Sequence, residues 1–202
     1  ASSFGLEDSL LIDMMIKINS KFRFFTLDTG RLPQETYDIM DKLSKKYNIT
    51  FELMFPNANE VQEMVQKKGI NLFYDSLENR LLCCGIRKVK LLRQILSTLD
   101  GWITGIRREQ TTTRANAKIL EIDEKYDGIV KVNPLLNWTW NDVKKYVKDN
   151  NVPYHPLIDQ GYSSIGCAPC TRAINPGEGL RAGRWWWENN ESKECGLHMP
   201  EE

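Results

Sequence analysis

Strand-like and helix-like segments alternate along the first two-thirds of this chain of 202 residues. Residues 22–27 and 49–55 have the apolar composition or the alternation of strands, and Pro33 opens a segment with helical spacing. A helix is also predicted just after the first five residues, with its apolar face formed by Leu6, Leu10, Leu11, Met14, Met15 and Ile18. Such alternation is typical of β-α-β units, so the sequence predicts an α/β fold with an open, mostly parallel sheet flanked by helices. Ligands of such sheets bind beyond the carboxyl ends of the strands.

The second half of this pattern is shorter but of the same kind. A helix with a buried leucine-rich stripe is predicted to start near Cys83, and short strands are predicted at 101–105 and 129–132. Thr139 has Asp142 three residues on, which predicts a capped helix that runs to about Asn150.

The pattern changes after Pro153. Residues 155–202 contain Gly, Pro, Trp and Arg with little periodicity, so they are interpreted as an extension of the same domain and not as a second core. The sequence therefore predicts an α/β core over residues 1–154 and a C-terminal extension over residues 155–202.

Composition excludes several classes of protein. The 27 basic and 27 acidic residues cancel, which disfavours wholesale nucleic-acid binding, and no stretch of apolar residues is long enough to span a membrane. Five cysteines, an odd number, fit a reducing compartment better than a disulfide framework, so a cytoplasmic protein is predicted.

The cysteines divide by spacing into four and one. Cys83 and Cys84 are adjacent, Cys167 and Cys170 form a C-x-x-C pair, and Cys195 stands alone near the end. Four sulfur ligands from two segments suit either a zinc ion or an iron–sulfur cluster. Adjacent cysteines favour the cluster, because neighbouring thiolates can bind different irons.

Cys195 is a candidate nucleophile. It lies seven residues from the end, with His198 close enough in sequence to favour a thiolate. The alternative is an inert thiol near a chain end.

Two further features suit an anionic ligand. The loop Ser2-Ser3-Phe4-Gly5 leads into the first helix and is either an anion cradle or an ordinary helix cap, and the acidic Glu7 and Asp8 oppose an anion unless a cation compensates. The segments 105–108 and 181–184 each combine glycine with two arginines, which suits close contact with phosphate or sulfate.

Six ordered motifs together resemble the assimilatory adenylyl-sulfate (APS) reductases. They are Ser2-Ser3-Phe4-Gly5 with Glu7-Asp8, Leu27-Asp28-Thr29-Gly30-Arg31-Leu32, Cys83-Cys84-x-x-Arg87-Lys88, Gly166-Cys167-x-x-Cys170-Thr171-Arg172, Gly183-Arg184-Trp185-Trp186-Trp187 and Glu194-Cys195-Gly196-Leu197-His198. The fold that the resemblance implies is of the adenine nucleotide α-hydrolase type, which is Rossmann-like and here ends in a catalytic tail. It agrees with the β-α-β pattern.

The resemblance implies a chemistry for each group of residues. One 4Fe-4S cluster per chain would be held by Cys83, Cys84, Cys167 and Cys170, and Cys195 would carry a transient S-sulfo group. Substrate contacts are implied for a larger set, namely Ser2, Ser3, Gly5, Leu27, Lys88, Gly105, Arg114, Arg181, Arg184 and His198. The expected activity is reduction of APS to sulfite and AMP, with thioredoxin or glutaredoxin as reductant, and a homo-oligomer is expected.

Three alternatives stay open. Reductases of the 3′-phosphorylated substrate, PAPS, lack the four clustered cysteines, so their presence favours APS. An ATP pyrophosphatase of the same fold would not need Cys195, and a non-catalytic metal or redox module would show no turnover. Family members also have a first strand ahead of the serine loop, which these residues do not include.

Overall fold

The computed structural model describes residues 1–19, 21–111 and 114–188. Its helices are α1 (Leu6–Ile18), α2 (Gln34–Tyr47), α3 (Ala58–Lys68), α4 (Leu77–Cys84), α5 (Lys90–Leu96) and α6 (Trp140–Asp149). Its strands are β1 (Phe24–Leu27), β2 (Phe51–Met54), β3 (Gly101–Ile103), β4 (Leu120–Asp123) and β5 (Ile129–Val132). The α/β class is as the sequence predicted, and so is the capping box of Thr139 and Asp142 at the start of α6.

The strands form two sets. Strand β1 pairs in parallel with β2, and β3 pairs in parallel with β5. Strand β4, which the sequence analysis did not predict, pairs antiparallel with the other side of β5. A groove of about 460 Å³ separates β1 from β3, and the first two residues bridge it at one end. There the Ser2 amide donates to the Phe25 carbonyl at 2.8 Å, and the Ala1 amine donates to the Ile103 carbonyl at 3.4 Å.

Helix α1 joins the two sets because it is buried on more than one side. Leu10 and Leu11 pack with Leu135 and Val143, next to α6. Ile12 packs instead in the cluster that contains β1 and α2 residues. Helix α1 therefore lies between both halves of the core. Because the serine loop directly precedes this helix, the packing of α1 also fixes the position of the loop.

Helix α4 begins earlier than predicted. The apolar spacing predicted a start near Cys83, but Ser76 caps the helix, since its hydroxyl accepts a hydrogen bond from the Asn79 amide at 3.1 Å. The helix then continues through a wide π-helical turn, Gly85–Val89, into α5. Such turns insert an extra residue and are frequent at functional sites. Here the turn carries Arg87 and Lys88 directly after Cys84.

The extension packs on the core through buried residues. His155 is fully buried, with Nε2 3.1 Å from the Thr36 hydroxyl. Burial lowers the pKa of His155 to about 4, so the ring is neutral at pH 7 and packs in the core. The Ala168 amide donates to the Arg31 carbonyl at 2.8 Å, and Trp185 packs in a cluster with Phe73. Within the described ranges, no helix has the length and apolar character needed to cross a membrane.

Candidate functional site

A cleft of about 210 Å³ opens where β1 and β3 end. This is the edge at which α/β sheets bind ligands. Nine of the ten residues for which the resemblance implied substrate contacts line it, namely Ser2, Ser3, Gly5, Leu27, Lys88, Gly105, Arg114, Arg181 and Arg184. The tenth, His198, and the candidate nucleophile Cys195 lie outside the described residues.

The serine loop is shaped by its own hydrogen bonds. The residue that caps α1 is Gly5, and no side chain caps the helix, so the ordinary serine cap is not what the structure has. The Ser2 hydroxyl accepts from the Phe4 amide at 3.1 Å. The amide and hydroxyl of Ser3 both donate to Asp8, at 2.6 and 2.8 Å. The loop thus places the uncapped start of a helix of 13 residues at the cleft, where its N–H groups favour an anion.

The acidic residue Glu7 has a buried cationic partner. Arg107, which is 1% exposed, donates from Nε to Glu7 Oε1 at 2.8 Å. Gln110 Nε2 also donates to Glu7 Oε1, at 3.0 Å, and Gln110 Oε1 accepts from Arg114. Arg107 is thus the cation that compensates Glu7, and no sequence pattern singled it out in this role. Gln110 could have been suspected from its position, because it lies three residues after Arg107 and four before Arg114, within reach of both.

Asp8 and Gly105 meet across the cleft wall. Burial raises the pKa of Asp8, although hydrogen bonds from Ser3 oppose the shift. A Cβ atom on Gly105 would lie 2.7 Å from Asp8 Oδ1 and 3.0 Å from Glu7 Cβ. Only glycine therefore lets the segment after β3 lie this close to α1.

The lining of the cleft has two characters. Lys88, Arg114, Arg181 and Arg184 supply positive charge. The apolar part of the lining is supplied by Leu27, Leu92, Trp102 and Ile106. A ligand with an anionic part and a flat apolar part matches this lining, because arginine binds phosphate or sulfate oxygens in pairs and apolar walls exclude water.

Arg184 lies at a position that requires a neighbouring glycine. The carbon at the centre of its guanidinium would be 2.7 Å from a Cβ atom on Gly166. Arg184 is buried, and its Nε and Nη1 donate to the carbonyls of Cys170 and Ile165 at 3.3 and 3.4 Å. A side chain at 166 would displace this guanidinium from the cleft.

Three of the four candidate ligand cysteines share one apolar cluster. Cys170 is a buried member of that cluster, Cys83 and Cys167 are partly buried residues packed against it, and Cys84 is half-buried. All four are free thiols. Burial raises the pKa of Cys83, and it raises the pKa of Cys170 to about 12. For Cys167 burial also acts upward, but the charge of Lys88 and a hydrogen bond with Thr29 outweigh it and lower the pKa.

The four thiols are donors of the kind that either an iron–sulfur cluster or a zinc ion takes. Among the described residues, no group of three or more Cys, His, Asp or Glu side chains is arranged to hold one metal ion. A zinc ion takes four ligands around one centre, and an iron–sulfur cluster takes one thiolate at each of its irons. The indole N–H of Trp185, in the same cluster as Cys170, is buried without a hydrogen-bond partner in the described part of the chain. An unpaired buried donor beside thiols suits the sulfur atoms of such a group.

Comparison with known proteins covers nearly the whole chain. Residues 1–173 match the family model described as phosphoadenosine phosphosulfate reductase domain. The chain is 45% identical to the adenosine 5′-phosphosulfate reductase of Allochromatium vinosum, over 100% of the chain and 78% of that protein. It is 48% identical to the protein of the same name from Rhizobium tropici, over 87% of the chain and 97% of that protein.

Solved structures agree on the fold. A phosphoadenylyl-sulfate (PAPS) reductase from Candida auris, in a phosphate complex, superposes with a TM-score of 0.71 at 30% identity, covering 86% of this chain and 81% of that one. Yeast FAD synthetase superposes with a TM-score of 0.57 at 14% identity, over 87% of this chain and 57% of that one, and shows likeness of fold alone. From the match over residues 1–173 and these identities, the chain belongs to the phosphoadenosine phosphosulfate reductase domain family.

Proposed function

We propose that this chain reduces APS to sulfite and AMP in sulfate assimilation. The observation that carries the proposal is the cleft, in which four cationic side chains and an apolar wall lie beside the cysteine cluster. Relatives at 45 and 48% identity, of which the chain covers most, are named as reductases of this substrate. The choice of APS as substrate is thus supported by the names of these relatives. The shape and charge of the cleft are compatible with it.

The reaction is a displacement at sulfur followed by a thiol exchange. A thiolate at Cys195 attacks the sulfur of APS, a sulfur–sulfur bond forms, and AMP leaves with the electron pair of the broken bond to oxygen. A thiol of the reductant then attacks Cys195 Sγ, and sulfite leaves with the electrons of the sulfur–sulfur bond. A second thiol of the reductant resolves the mixed disulfide and restores the Cys195 thiol, so the dithiol supplies both electrons.

Each part of the cleft has a role in this scheme. Negative charge grows on the bridging oxygen and phosphate as AMP leaves, and preorganised cations and N–H groups stabilise it. Leu27 and Gly105 would hold the adenosine part. The anionic part would be bound by the Ser2–Ser3–Gly5 loop, Arg114, Arg181, Arg184 and His198.

Cys83, Cys84, Cys167 and Cys170 would hold a 4Fe-4S cluster, one per chain. When bound, that group would join the end of α4 to the C-x-x-C segment and set the electric field around Lys88. Because thiols supply both electrons, no change in its oxidation state is required.

The remaining partners follow from this chemistry. A small dithiol protein, thioredoxin or glutaredoxin, would be the reductant, and AMP and sulfite are the products. Free thiols throughout the described residues suit a reducing compartment, and we place the protein in the cytoplasm. We also expect a homo-oligomer.

The proposal is tested by a thioredoxin-coupled sulfite assay on anaerobically purified protein. We expect turnover with APS and slower turnover with PAPS, since the four cysteines favour the substrate without the 3′-phosphate. Faster turnover with PAPS would mean that PAPS, and not APS, is the substrate. No sulfite from either compound would refute the reductase activity.

Lys88 links the two halves of the site. It lines the cleft, and its charge lowers the pKa of Cys167 and opposes the rise at Cys170. We expect Lys88→Ala to lower kcat/KM by about 10²-fold, the typical cost of one preorganised charge at the reacting group. Iron content should stay at the wild-type value.

The matched control is Lys90→Ala. Lys90 lies two residues further on and pairs with Glu60 at 2.8 Å on an exposed surface. The Lys90→Ala variant should keep full activity. Wild-type rates for Lys88→Ala, measured beside this control, would remove Lys88 from the site.

A further inference from the structure

Arg80 forms a buried ion pair one helical turn before Cys83. Its side chain is 2% exposed, and it donates from Nε to Glu188 Oε1 at 2.6 Å and from Nη2 to Oε2 at 3.1 Å. This two-pronged geometry fixes both side chains. Burying two charges is costly and is weak support for stability, so the pair calls for another explanation.

The pair lies against Trp185. The guanidinium carbon of Arg80 is 4.4 Å from the centroid of the Trp185 ring, and that of Arg184 is 4.5 Å from it. Trp185 is 1% exposed and has a positive φ of 43°. A non-glycine residue in this left-handed region is strained and persists only where its surroundings hold it.

Arg184 is in contact with this ring as well as with two backbone carbonyls. Its two hydrogen bonds to the carbonyls of Cys170 and Ile165, at 3.3 and 3.4 Å, are longer than usual. The contact with the Trp185 ring is at a favourable distance for a cation and an aromatic face. A shift of the ring would therefore shift the guanidinium that lines the cleft above Gly166.

We infer that Arg80 is a positioning residue for substrate binding: paired with Glu188, it fixes the Trp185 ring and thereby holds the guanidinium of Arg184 at the cleft. The inference rests on the proposed function in one respect, because Arg184 is taken to bind the anionic part of APS. Arg80 itself does not line the cleft.

The test measures binding separately from turnover. Arg80→Met keeps the length of the side chain and removes its charge and hydrogen bonds. We expect it to raise the dissociation constant for AMP and the KM for APS by about tenfold, with kcat changed much less. Glu188→Gln, which keeps its size, should shift both constants in the same direction by a smaller factor and serves if Arg80→Met fails to fold.

Arg23→Met is the matched control. Arg23 and Glu52 form the same two-pronged pair, at 2.7 and 2.8 Å, on an exposed surface away from the cleft. The Arg23→Met variant should leave the dissociation constant for AMP unchanged. Iron content and the melting temperature of every variant report on general damage.

A double-mutant cycle separates positioning from general support. If Arg80 acts through Arg184, Arg80→Met should weaken AMP binding no further in an Arg184→Ala background. Additive losses, or AMP binding by both Arg80→Met and Glu188→Gln within twofold of wild type, would overturn the inference. The proposed function fails in a different way, namely when the wild-type protein binds APS and AMP but releases no sulfite.

Discussion

Replacement of Cys195 by serine is expected to abolish sulfite release. Serine has nearly the same size, but its hydroxyl is not ionised near pH 7 and cannot form the sulfur–sulfur bond. We expect sulfite turnover to fall by about 10³-fold or more, since the proposal assigns the covalent step to this thiol and the other four cysteines to the cluster. Iron content and AMP binding should stay at wild-type values, because neither depends on this thiol.

Mass spectrometry provides the direct measurement. Wild-type protein mixed with APS and no reductant should gain the mass of one SO₃ group on the peptide that contains Cys195, and Cys195→Ser should gain none. Ser192→Ala, three residues upstream, is the control for a change in the same segment. Substantial residual turnover of Cys195→Ser, or a wild-type peptide without the added mass, would contradict the mechanism.

Replacement of Cys170 by serine is expected to remove iron and activity together. Cys170 is the buried one of the four candidate ligand cysteines. It is 8% exposed and belongs to the same apolar cluster as Trp185 and Phe73. A serine hydroxyl is a poor ligand for iron, and it would also place a polar group in an apolar cluster. We expect iron per chain to fall to a small fraction of the wild-type amount and sulfite release to fall with it.

Cys195→Ser is the control for this loss, because it should lose activity and keep iron. Elemental analysis and the visible absorption of the anaerobic protein measure the outcome. A Cys170→Ser protein with a full complement of iron would exclude Cys170 from the ligands. Zinc instead of iron in the wild-type protein would show that the four cysteines bind a zinc ion and not an iron–sulfur cluster.

The order of helices and strands was predictable because it depends on local patterns. Apolar spacing predicted α1 and α2, the Thr139–Asp142 pair predicted the start of α6, and the strand at 129–132 was predicted with its observed bounds. The predicted start of α4 was wrong because the apolar stripe used to locate the helix begins only at Leu91, whereas the helix begins after its cap, Ser76. Strand β4 was missed because four residues that alternate between apolar and acidic give little signal without their partner β5.

Nine residues of the cleft lining were named from the family resemblance, but their arrangement was not accessible from the sequence. Nothing near Glu7 in the chain reveals that Arg107, a hundred residues away, neutralises it. Likewise Gly105 reads as a small residue beside two arginines, and only the packed structure shows Asp8 too close to admit a Cβ atom. Contacts between distant segments depend on how helices pack, which no short sequence pattern encodes.

The sequence alone thus determined the chemical groups available to this protein: four thiols in two pairs, a separate fifth thiol, and arginines beside glycines. Residue type and spacing are local properties, and they limit the chemistry whatever the fold. The tertiary structure decided which groups meet, since packing brings the ends of β1 and β3, the π-helical turn with Lys88 and the Arg184 segment to one cleft. It also decided that Arg80 is buried against Trp185 and Glu188, because burial and ion pairing depend on neighbours that are remote in the chain.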